Sequence, residues 1–262
     1  MSALDLSIVI VSFNARADLE RCLQSLHDGP PSRSHEIVVV DNASSDGSPD
    51  EARRWPGVRV IDSGANLGFA RGNNVGIRAS RGANLLLLNS DTVVPRGAID
   101  ALLATLESHA DVAVVGPRLV DAEGRAELSF GRMIGPFAEL RQQWIAKGDV
   151  EALTRREQFP DWVSGACLLV RRTDAEAVGL LDEQYMMYLE DVDFCAAIRA
   201  RGRRILFAPA VQITHLRGRS RLAAPAATQS AYRRSQLAFY VKHHPRWVPL
   251  LKLYLRLRGA DT

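Results

Sequence analysis

Residues 84–91 of the chain read Asn84-Leu85-Leu86-Leu87-Leu88-Asn89-Ser90-Asp91. Four consecutive leucines between polar ends are too few for an independent helix, and they are typical of a strand that is buried on both faces. In an open α/β sheet, ligands bind outside the carboxyl ends of such strands. We therefore expect a ligand near Asp91. We also predict that a helix begins just beyond it at Pro95, since proline favours the first helical turn.

Residues 1–115 alternate apolar strands with helical segments. Besides the leucine run, we predict strands at residues 6–11, 36–40, 57–61 and 112–115. A capping box with a proline at the first helical position indicates a short helix that begins at Ser48. The glycine- and asparagine-rich residues 66–76 lead into a further helix near Ile77. This alternation indicates a parallel, doubly wound sheet that is flanked by helices.

Two acidic residues follow strands at the same edge of this sheet. Asp41 ends the second predicted strand, and Asp91 ends the leucine strand. Two carboxylates on the ligand-binding edge favour a functional site. The alternative is that each carboxylate binds the backbone of its own loop, as Asp commonly does. The glycine fingerprint of dinucleotide-binding folds, the P-loop and the G-x-S-x-G motif are not found, which argues against a dehydrogenase, a P-loop kinase and an α/β-hydrolase.

The second half of the chain has a weaker pattern. We predict, in order, a hairpin in residues 117–132, a helix with a mobile loop in 135–159, and strands at 167–170, 204–207 and 211–215. A helix is predicted to begin near Glu190, with Asp191 and Asp193 also in its first turn. The helix dipole favours ionised carboxylates there, and this stabilisation alone would explain them. The functional alternative is that one of them accepts a proton from a hydroxyl group as its oxygen attacks a substrate carbon.

His215 ends the last predicted strand and precedes a basic segment that contains glycine. A lone histidine is more often structural than a ligand. Its position after a buried strand, next to basic residues, also suits a neighbour of a phosphate or a metal ion. Both interpretations remain open from the residues alone.

The composition indicates a reduced, cytoplasmic protein. The cysteines Cys22, Cys167 and Cys195 lie among apolar residues without metal-ligand spacing, as buried thiols do. The N-terminus has no signal-like apolar region, so secretion is not expected. No apolar run approaches the ~18 residues that a membrane-spanning helix needs.

The charge of the chain is unevenly distributed. Residues 216–262 contain ten Arg or Lys and one acid, a net charge of +9, which leaves −6 on residues 1–215 out of the overall +3. A uniformly basic nucleic-acid-binding protein would not have this distribution, which is typical of an enzyme that contacts an anionic lipid or substrate. Residues 247–258 mix leucine and aromatic residues with basic ones, as a helix in the plane of a membrane surface does. A helix that docks on the protein or forms a homodimer contact is the alternative.

The motifs together identify a family resemblance that extends from residue 6 to residue 220. The chain resembles the family 2 glycosyltransferases, in the subgroup similar to bacterial rhamnosyltransferases of cell-wall and O-antigen synthesis. The matching segments are Val9-Ile10-Val11-Ser12-Phe13-Asn14, Val40-Asp41-Asn42-Ala43-Ser44-Ser45-Asp46-Gly47, Asn66-Leu67-Gly68-Phe69-Ala70, Gly72-Asn73-Asn74-Val75-Gly76, Leu86-Leu87-Leu88-Asn89-Ser90-Asp91, Ser164-Gly165-Ala166, Leu181-Asp182-Glu183, Tyr188-Leu189-Glu190-Asp191-Val192-Asp193, and His215 with Gly218 and Ser220.

This resemblance implies a GT-A fold and an inverting single displacement with Mg²⁺ or Mn²⁺. Asp191 is the implied general base, and Asp91 is the last acid of the D-x-D motif, in which Asn89 stands at the first position. Asp91 and His215 are the implied metal neighbours, and Glu190 and Trp162 are expected at the acceptor. The nucleotide is expected to contact the remaining residues, which are Ser12, Asn14, Asp41, Arg71 and Asn89.

The expected function is the transfer of a sugar, rhamnose by analogy, from a dTDP- or UDP-sugar to a lipid-linked or polysaccharide acceptor in cell-envelope glycan synthesis. Residues 1–115 are expected to form the nucleotide-binding half of a catalytic domain and residues 116–215 its acceptor half. Residues 216–262 would form a basic helical extension with peripheral contact to the cytoplasmic face of the inner membrane. One alternative is an inactive partner subunit that binds a nucleotide-sugar. A nucleotidyltransferase is disfavoured, because no glycine- and lysine-rich triphosphate loop follows the first strand.

Overall fold

A computed structural model of the protein describes residues 4–135, 149–216 and 225–257. The strands are β1 (Leu4–Ser12), β2 (His35–Asp41), β3 (Val58–Asp62), β4 (Gly82–Asn89), β5 (Thr92–Val93), β6 (Val112–Val120), β7 (Phe130–Gly131), β8 (Trp162–Val163), β9 (Cys167–Arg171) and β10 (Arg204–His215). The helices are α1 (Arg16–Asp28), α2 (Ser48–Arg53), α3 (Gly68–Ala79), α4 (Ala98–Ser108), α5 (Val150–Leu153), α6 (Arg172–Ala177), α7 (Glu190–Ala200), α8 (Pro225–His243), a 3₁₀ turn (Pro245–Trp247) and α9 (Val248–Leu257).

Eight of these strands form one sheet in the order β3-β2-β1-β4-β9-β6-β10-β5. The first four strands of this order are parallel to one another, which confirms the doubly wound α/β arrangement predicted for the first half. Alternate leucines of β4 contribute to different layers, because successive strand residues point to opposite faces. Leu86 and Leu88 pack with helices α1 and α4, whereas Leu85 and Leu87 pack with α3 and α7.

The second half of the chain enters the same sheet. Strand β9 is antiparallel to its two neighbours and lies between β4 and β6, with Leu85 opposite Val170. Residues 204–215 form one strand, not the two that the sequence predicted. An irregularity in pairing between Ala208 and Gln212 explains the apparent break. Strand β5 then pairs with the end of β10, which brings His215 opposite Thr92.

Helix boundaries differ from the predictions where glycine determines the backbone. Helix α4 begins at Ala98 and not at Pro95, because Gly97 before it has φ of 80°, in the left-handed region. Helix α3 begins at Gly68, well before Ile77, so most of the glycine- and asparagine-rich passage is helical. Close packing accounts for a glycine within this helix, because a Cβ on Gly76 would lie only 2.4 Å from the Cγ1 atom of Val9.

The C-terminal helices are part of the same folded body. The Asp193 carboxylate, on α7, accepts hydrogen bonds from Lys242 (2.8 Å) and His243 (2.6 Å) at the end of α8. Phe239 and Leu251 join an apolar cluster with residues of the loop before α7. Within residues 225–257, the C-terminal extension is therefore helical and packs against the rest of the protein. Residues 136–148, which belong to the predicted helix and loop of 135–159, lie outside the described residues. So do residues 217–224 and 258–262 of the basic tail, which include Gly218 and Ser220.

None of the helices within the described ranges is both long enough and apolar enough to cross a bilayer.

Candidate active site

The ends of three parallel strands bring polar residues together at one edge of the sheet. Ser12 lies opposite Asp41, and Val11, the residue before Ser12, lies opposite Asn89. The Asp41 Oδ2 atom accepts a hydrogen bond from the Ser44 N–H (2.9 Å), so the loop-capping alternative accounts for one of its two oxygens. The Ser12 Oγ and Asp41 Oδ1 atoms are buried and have no hydrogen-bond partner among the described residues. Unpaired buried oxygens cost free energy, so this edge suits a ligand that donates hydrogen bonds.

Asn14 joins the two loops that follow β1 and β2. Its side-chain Oδ1 accepts a hydrogen bond from the Ser45 N–H (2.8 Å), and its own N–H donates to the Ser44 Oγ (2.9 Å). Its φ of 48° is in the left-handed region, which Asn tolerates better than most residues. Asn14 therefore shapes the loop beside Asp41.

Arg71 lies on the first turns of α3, which dock beside the same edge. The Asn42 side chain donates a hydrogen bond to the Gly68 carbonyl (3.0 Å) and fixes the start of this helix next to Asp41. The Arg71 guanidinium, however, forms its ion pair with Glu183 (3.4 Å) and is more than half exposed. The structure thus brings Arg71 to the rim of the edge, where it contacts an acid and not Asp41.

Asp91 and His215 meet although they are far apart in the chain. The Asp91 Oδ1 and His215 Nε2 atoms are 3.2 Å apart, and the Asn89 amide nitrogen lies 3.5 Å from the same Nε2. The pairing of β5 with β10 produces this contact, and the Leu216 N–H donates to the Asp91 carbonyl (2.7 Å). The predicted metal neighbours are therefore adjacent in the fold.

Glu127 is a partner of His215 that the sequence analysis did not single out. Its Oε2 atom lies 3.2 Å from the His215 Nδ1 atom, on the side of the ring away from Asp91. Burial alone would lower the pKa of His215, but hydrogen bonds to Asp91 and Glu127 raise it to about 9. No local signal marks Glu127, because its partner is 88 positions away in the chain.

Asp91 and His215 supply some of the ligand atoms that a hard divalent cation needs. A carboxylate oxygen of Asp91 suits Mg²⁺ or Mn²⁺. The His215 ring, held by Glu127 on its other nitrogen, would be a ligand only after it loses the Nε2 proton that it shares with Asp91. In the described part of the chain, no three His, Cys, Asp or Glu side chains are grouped to hold a metal ion. These residues therefore fit a cation that also binds oxygens of a ligand.

Asp191 is connected to the end of β4 through the loop before β9. The Asp191 Oδ2 atom accepts a hydrogen bond from the Gly165 N–H (2.9 Å), and the next carbonyl, of Ala166, accepts one from the Asn89 N–H (2.9 Å). A Cβ on Gly165 would lie 3.3 Å from the Asp191 Cβ and 3.2 Å from the Phe69 ring, so a larger residue would press on both. Backbone hydrogen bonds thus link Asp191 to the edge of the sheet that Asp41 and Asp91 share.

Glu190 and Asp191 differ in environment although they are adjacent. Burial, together with the charge of Asp191, raises the pKa of Glu190 to about 8. Burial also raises the pKa of Asp191, and the N–H groups of Gly165 and Val192 oppose that effect by binding the carboxylate. Glu190 therefore holds its proton more tightly than an ordinary glutamate, and the negative charge of the pair is better stabilised on Asp191, whose carboxylate accepts two N–H hydrogen bonds.

Trp162 lies in β8, three residues before Gly165. Its indole N–H donates to the Arg132 carbonyl (3.0 Å), and its ring packs against two apolar clusters, one of which contains Val192. It is partly exposed and borders the loop that binds Asp191.

The chain belongs to glycosyl transferase family 2, whose family model matches residues 7–177. A relative from Mycobacterium tuberculosis, N-acetylglucosaminyl-diphospho-decaprenol L-rhamnosyltransferase, is 31% identical over 92% of this chain and 86% of its own length. The low-salt glycan biosynthesis hexosyltransferase of Haloferax volcanii is also 31% identical, over 77% of this chain and 63% of its own length. The chain is accordingly a glycosyltransferase.

Solved structures establish that the fold is GT-A. The mannosyltransferase of Pyrobaculum calidifontis, in complex with GDP-Man and Mn²⁺, aligns with a TM-score of 0.66 over 96% of this chain and 69% of its own, at 18% identity. TarS of S. aureus in complex with UDP aligns with a TM-score of 0.61 over 90% of this chain and 66% of its own, at 15% identity. At these identities the likeness concerns the fold alone.

Proposed function

We propose that the protein transfers a sugar, rhamnose by similarity to the mycobacterial relative, from a nucleoside-diphosphate donor to a lipid-linked acceptor, with inversion at the anomeric carbon. The observation that carries this proposal is the position of Asp191. A backbone N–H holds this carboxylate beside the end of β4, where Asn89 and Asp91 lie. A single displacement needs a base on one side of the donor sugar and a phosphate-binding edge on the other.

Asp191 would act as the general base. Its carboxylate takes the proton of the acceptor hydroxyl as that oxygen forms a bond to the anomeric carbon. The bond from this carbon to the β-phosphate oxygen breaks at the same time, and the nucleoside diphosphate leaves with the electron pair. A carboxylate with a raised pKa is a stronger base, so the burial of Asp191 favours this step. Glu190 and Trp162 would border the acceptor.

The donor would bind along the strand ends. The buried oxygens of Ser12 and Asp41 that have no hydrogen-bond partner in the described ranges would accept hydrogen bonds from the base or ribose. Asn14 and Asn89 would line the same edge, and Arg71 would reach the nucleotide by exchanging its contact with Glu183. Residues 1–115 would thus form the nucleotide half, and residues 116–215 the acceptor half.

Asp91 and His215 would hold a Mg²⁺ or Mn²⁺ ion together with the diphosphate oxygens. When bound, the ion offsets the charge that develops on the leaving diphosphate. Glu127 would keep the His215 ring in place by accepting the hydrogen bond of its Nδ1–H. The site would be weak without nucleotide, since the described residues supply few ligands.

Release of nucleoside diphosphate tests the proposal. The protein is incubated with a panel of dTDP- and UDP-sugars, a polyprenyl-diphosphate-linked acceptor, and Mn²⁺ or a chelator. We expect turnover with at least one donor, and a loss of about 10²- to 10⁴-fold in Asp191→Asn, because the amide cannot take the proton. Nucleotide binding, measured by thermal shift, should persist in that variant.

Asp50→Asn is the matched control, because Asp50 is highly exposed on α2. It should behave as the unaltered protein does. An Asp191→Asn variant with full turnover would refute the assigned base. Nucleotide binding without turnover on any donor, acceptor or metal would favour the inactive partner subunit instead.

A further inference from the structure

The last described helix, α9, carries apolar residues on two sides. Leu251 and Leu255 are 7% and 3% exposed and pack against the protein with Phe239. Leu250 and Leu253 are each 55% exposed. At ~100° per residue, the second pair points away from the first by roughly 150° around the helix axis. A helix that docks through one apolar face does not need a second one, so the outer leucines require another explanation.

Basic residues flank this outer side, since Lys252 and Arg256 lie between it and the docked face around the helix axis. Arg246, Lys252 and Arg256 are exposed, and residues 225–257 contain six Arg or Lys and no Asp or Glu. Trp247, which is 39% exposed, lies one turn before Leu250. Leucine and tryptophan next to exposed basic residues are the composition of a helix that lies in the headgroup region of an anionic bilayer.

We propose that this lipid face, defined by Trp247, Leu250, Leu253, Lys252 and Arg256, binds the surface of an anionic lipid bilayer. The outer leucines would insert at the boundary of the acyl chains, while the basic side chains contact the headgroups. A second copy of the protein is a poorer occupant. It would bring two acid-free basic segments together, and their like charges would repel.

The position of α9 gives this contact a consequence for the active site. Leu251 and Leu255 share an apolar cluster with Leu189 and Val192, which directly flank the Glu190-Asp191 pair. The lipid face is therefore about one helix diameter, ~10 Å, from the side chains that support the proposed base. This step rests on the proposed function: a lipid-linked acceptor would be presented at the depth where Asp191 can reach its hydroxyl.

Co-sedimentation with vesicles tests the lipid face in the full-length protein. The vesicles contain either equal amounts of phosphatidylglycerol and phosphatidylcholine or phosphatidylcholine alone, at about 0.1 M and about 0.5 M NaCl. We expect binding to the anionic vesicles that weakens at the higher salt concentration. Leu250→Gln combined with Leu253→Gln should weaken it about tenfold or more, and Lys252→Gln with Arg256→Gln roughly fivefold for each charge removed.

Leu153→Gln, at an exposed leucine on α5, is the matched control and should bind as the unaltered protein does. Failure of the unaltered protein to bind anionic vesicles would overturn the proposal. Unchanged vesicle binding in the double leucine variant would also overturn it. The same holds if sedimentation velocity shows that the unaltered protein is a dimer and that the double leucine variant is a monomer with undiminished vesicle binding. Because the lipid assay needs no turnover, it remains decisive if no sugar transfer is found. The double leucine variant should also retain donor hydrolysis in solution while losing transfer to a vesicle-bound acceptor.

Discussion

Replacing Glu190 by glutamine should change how the stability of the protein depends on pH. Glu190 is buried, and one of its carboxyl oxygens has no hydrogen-bond partner within the described ranges. Burial and the charge of Asp191 raise its pKa from 4.5 to about 8. The folded protein therefore retains a proton that the unfolded chain releases above about pH 4.5. This contribution to the free energy of unfolding is complete in acid and is lost as the pH rises towards 8.

The size of the effect follows from the number of protons that the folded and the unfolded protein bind. Where the folded protein binds one proton more than the unfolded chain, the free energy of unfolding falls by about 1.4 kcal/mol per pH unit. Between about pH 5 and about pH 7.5 the upper limit is therefore ~3 kcal/mol, and coupling to Asp191 reduces it to roughly 1–3 kcal/mol. Glutamine cannot ionise, so the Glu190→Gln variant does not lose this free energy of unfolding. Its stability relative to that of the unaltered protein should therefore increase by this amount as the pH rises from about 5 to about 7.5.

Urea unfolding of both proteins across this pH range measures the difference. Glu157→Gln, at an exposed position, controls for the substitution itself. The quantity of interest is the change with pH and not the offset at one pH, because the glutamine amide meets its own surroundings in the folded state. A difference between Glu190→Gln and the unaltered protein that stays constant across the range would show that the folded protein does not hold this proton.

Three further variants or measurements test the packing. Gly76→Ala should destabilise the protein by about 1–3 kcal/mol, since its Cβ would meet Val9 at 2.4 Å, whereas Gly135→Ala, whose nearest contact is 3.6 Å, should be tolerated in the same denaturation assay. Asp193→Ala should lower the free energy of unfolding by about 2–4 kcal/mol, because Lys242 and His243 lose their shared carboxylate. Limited proteolysis of this variant should then cut near α8, and a variant that is uncut and equally stable would contradict this. The three cysteines should not react with a thiol reagent until the protein unfolds, since burial raises the pKa of each of them, and rapid labelling of the native protein would contradict that assignment.

The sequence predicted the part of the fold that depends on local pattern. Buried runs that alternate with helices specify parallel strands, and this predicts Asp41 and Asp91 at the same edge. The structure agrees, since β2 ends at Asp41 and β4 ends two residues before Asp91. Glu190 and Asp191 lie in the first turn of α7, as the acidic cluster indicated. These features could be found because each depends on neighbours in the chain.

Features that depend on distant residues could not be found in this way. An apolar run such as residues 167–170 does not encode its direction, so the antiparallel position of β9 was not foreseen. Glu127 meets His215 because β6, which precedes the loop that carries Glu127, pairs with β10, which ends at His215. The family resemblance implies that Arg71 contacts the nucleotide. Its ion pair with Glu183, a residue more than a hundred positions later in the chain, has no signal in the residues around Arg71.

Strand β9 has a consequence for engineering this enzyme. It is hydrogen-bonded to β4 on one side and to β6 on the other, so both halves of the chain complete a single hydrogen-bonded ladder. A chimera that joins residues 1–115 to the remainder of another family member would have to match backbone register and side-chain volume in two strand pairs, β4 with β9 and β9 with β6. Donor and acceptor preferences therefore should not be exchanged as blocks. They are better altered one loop at a time, with the ladder left intact.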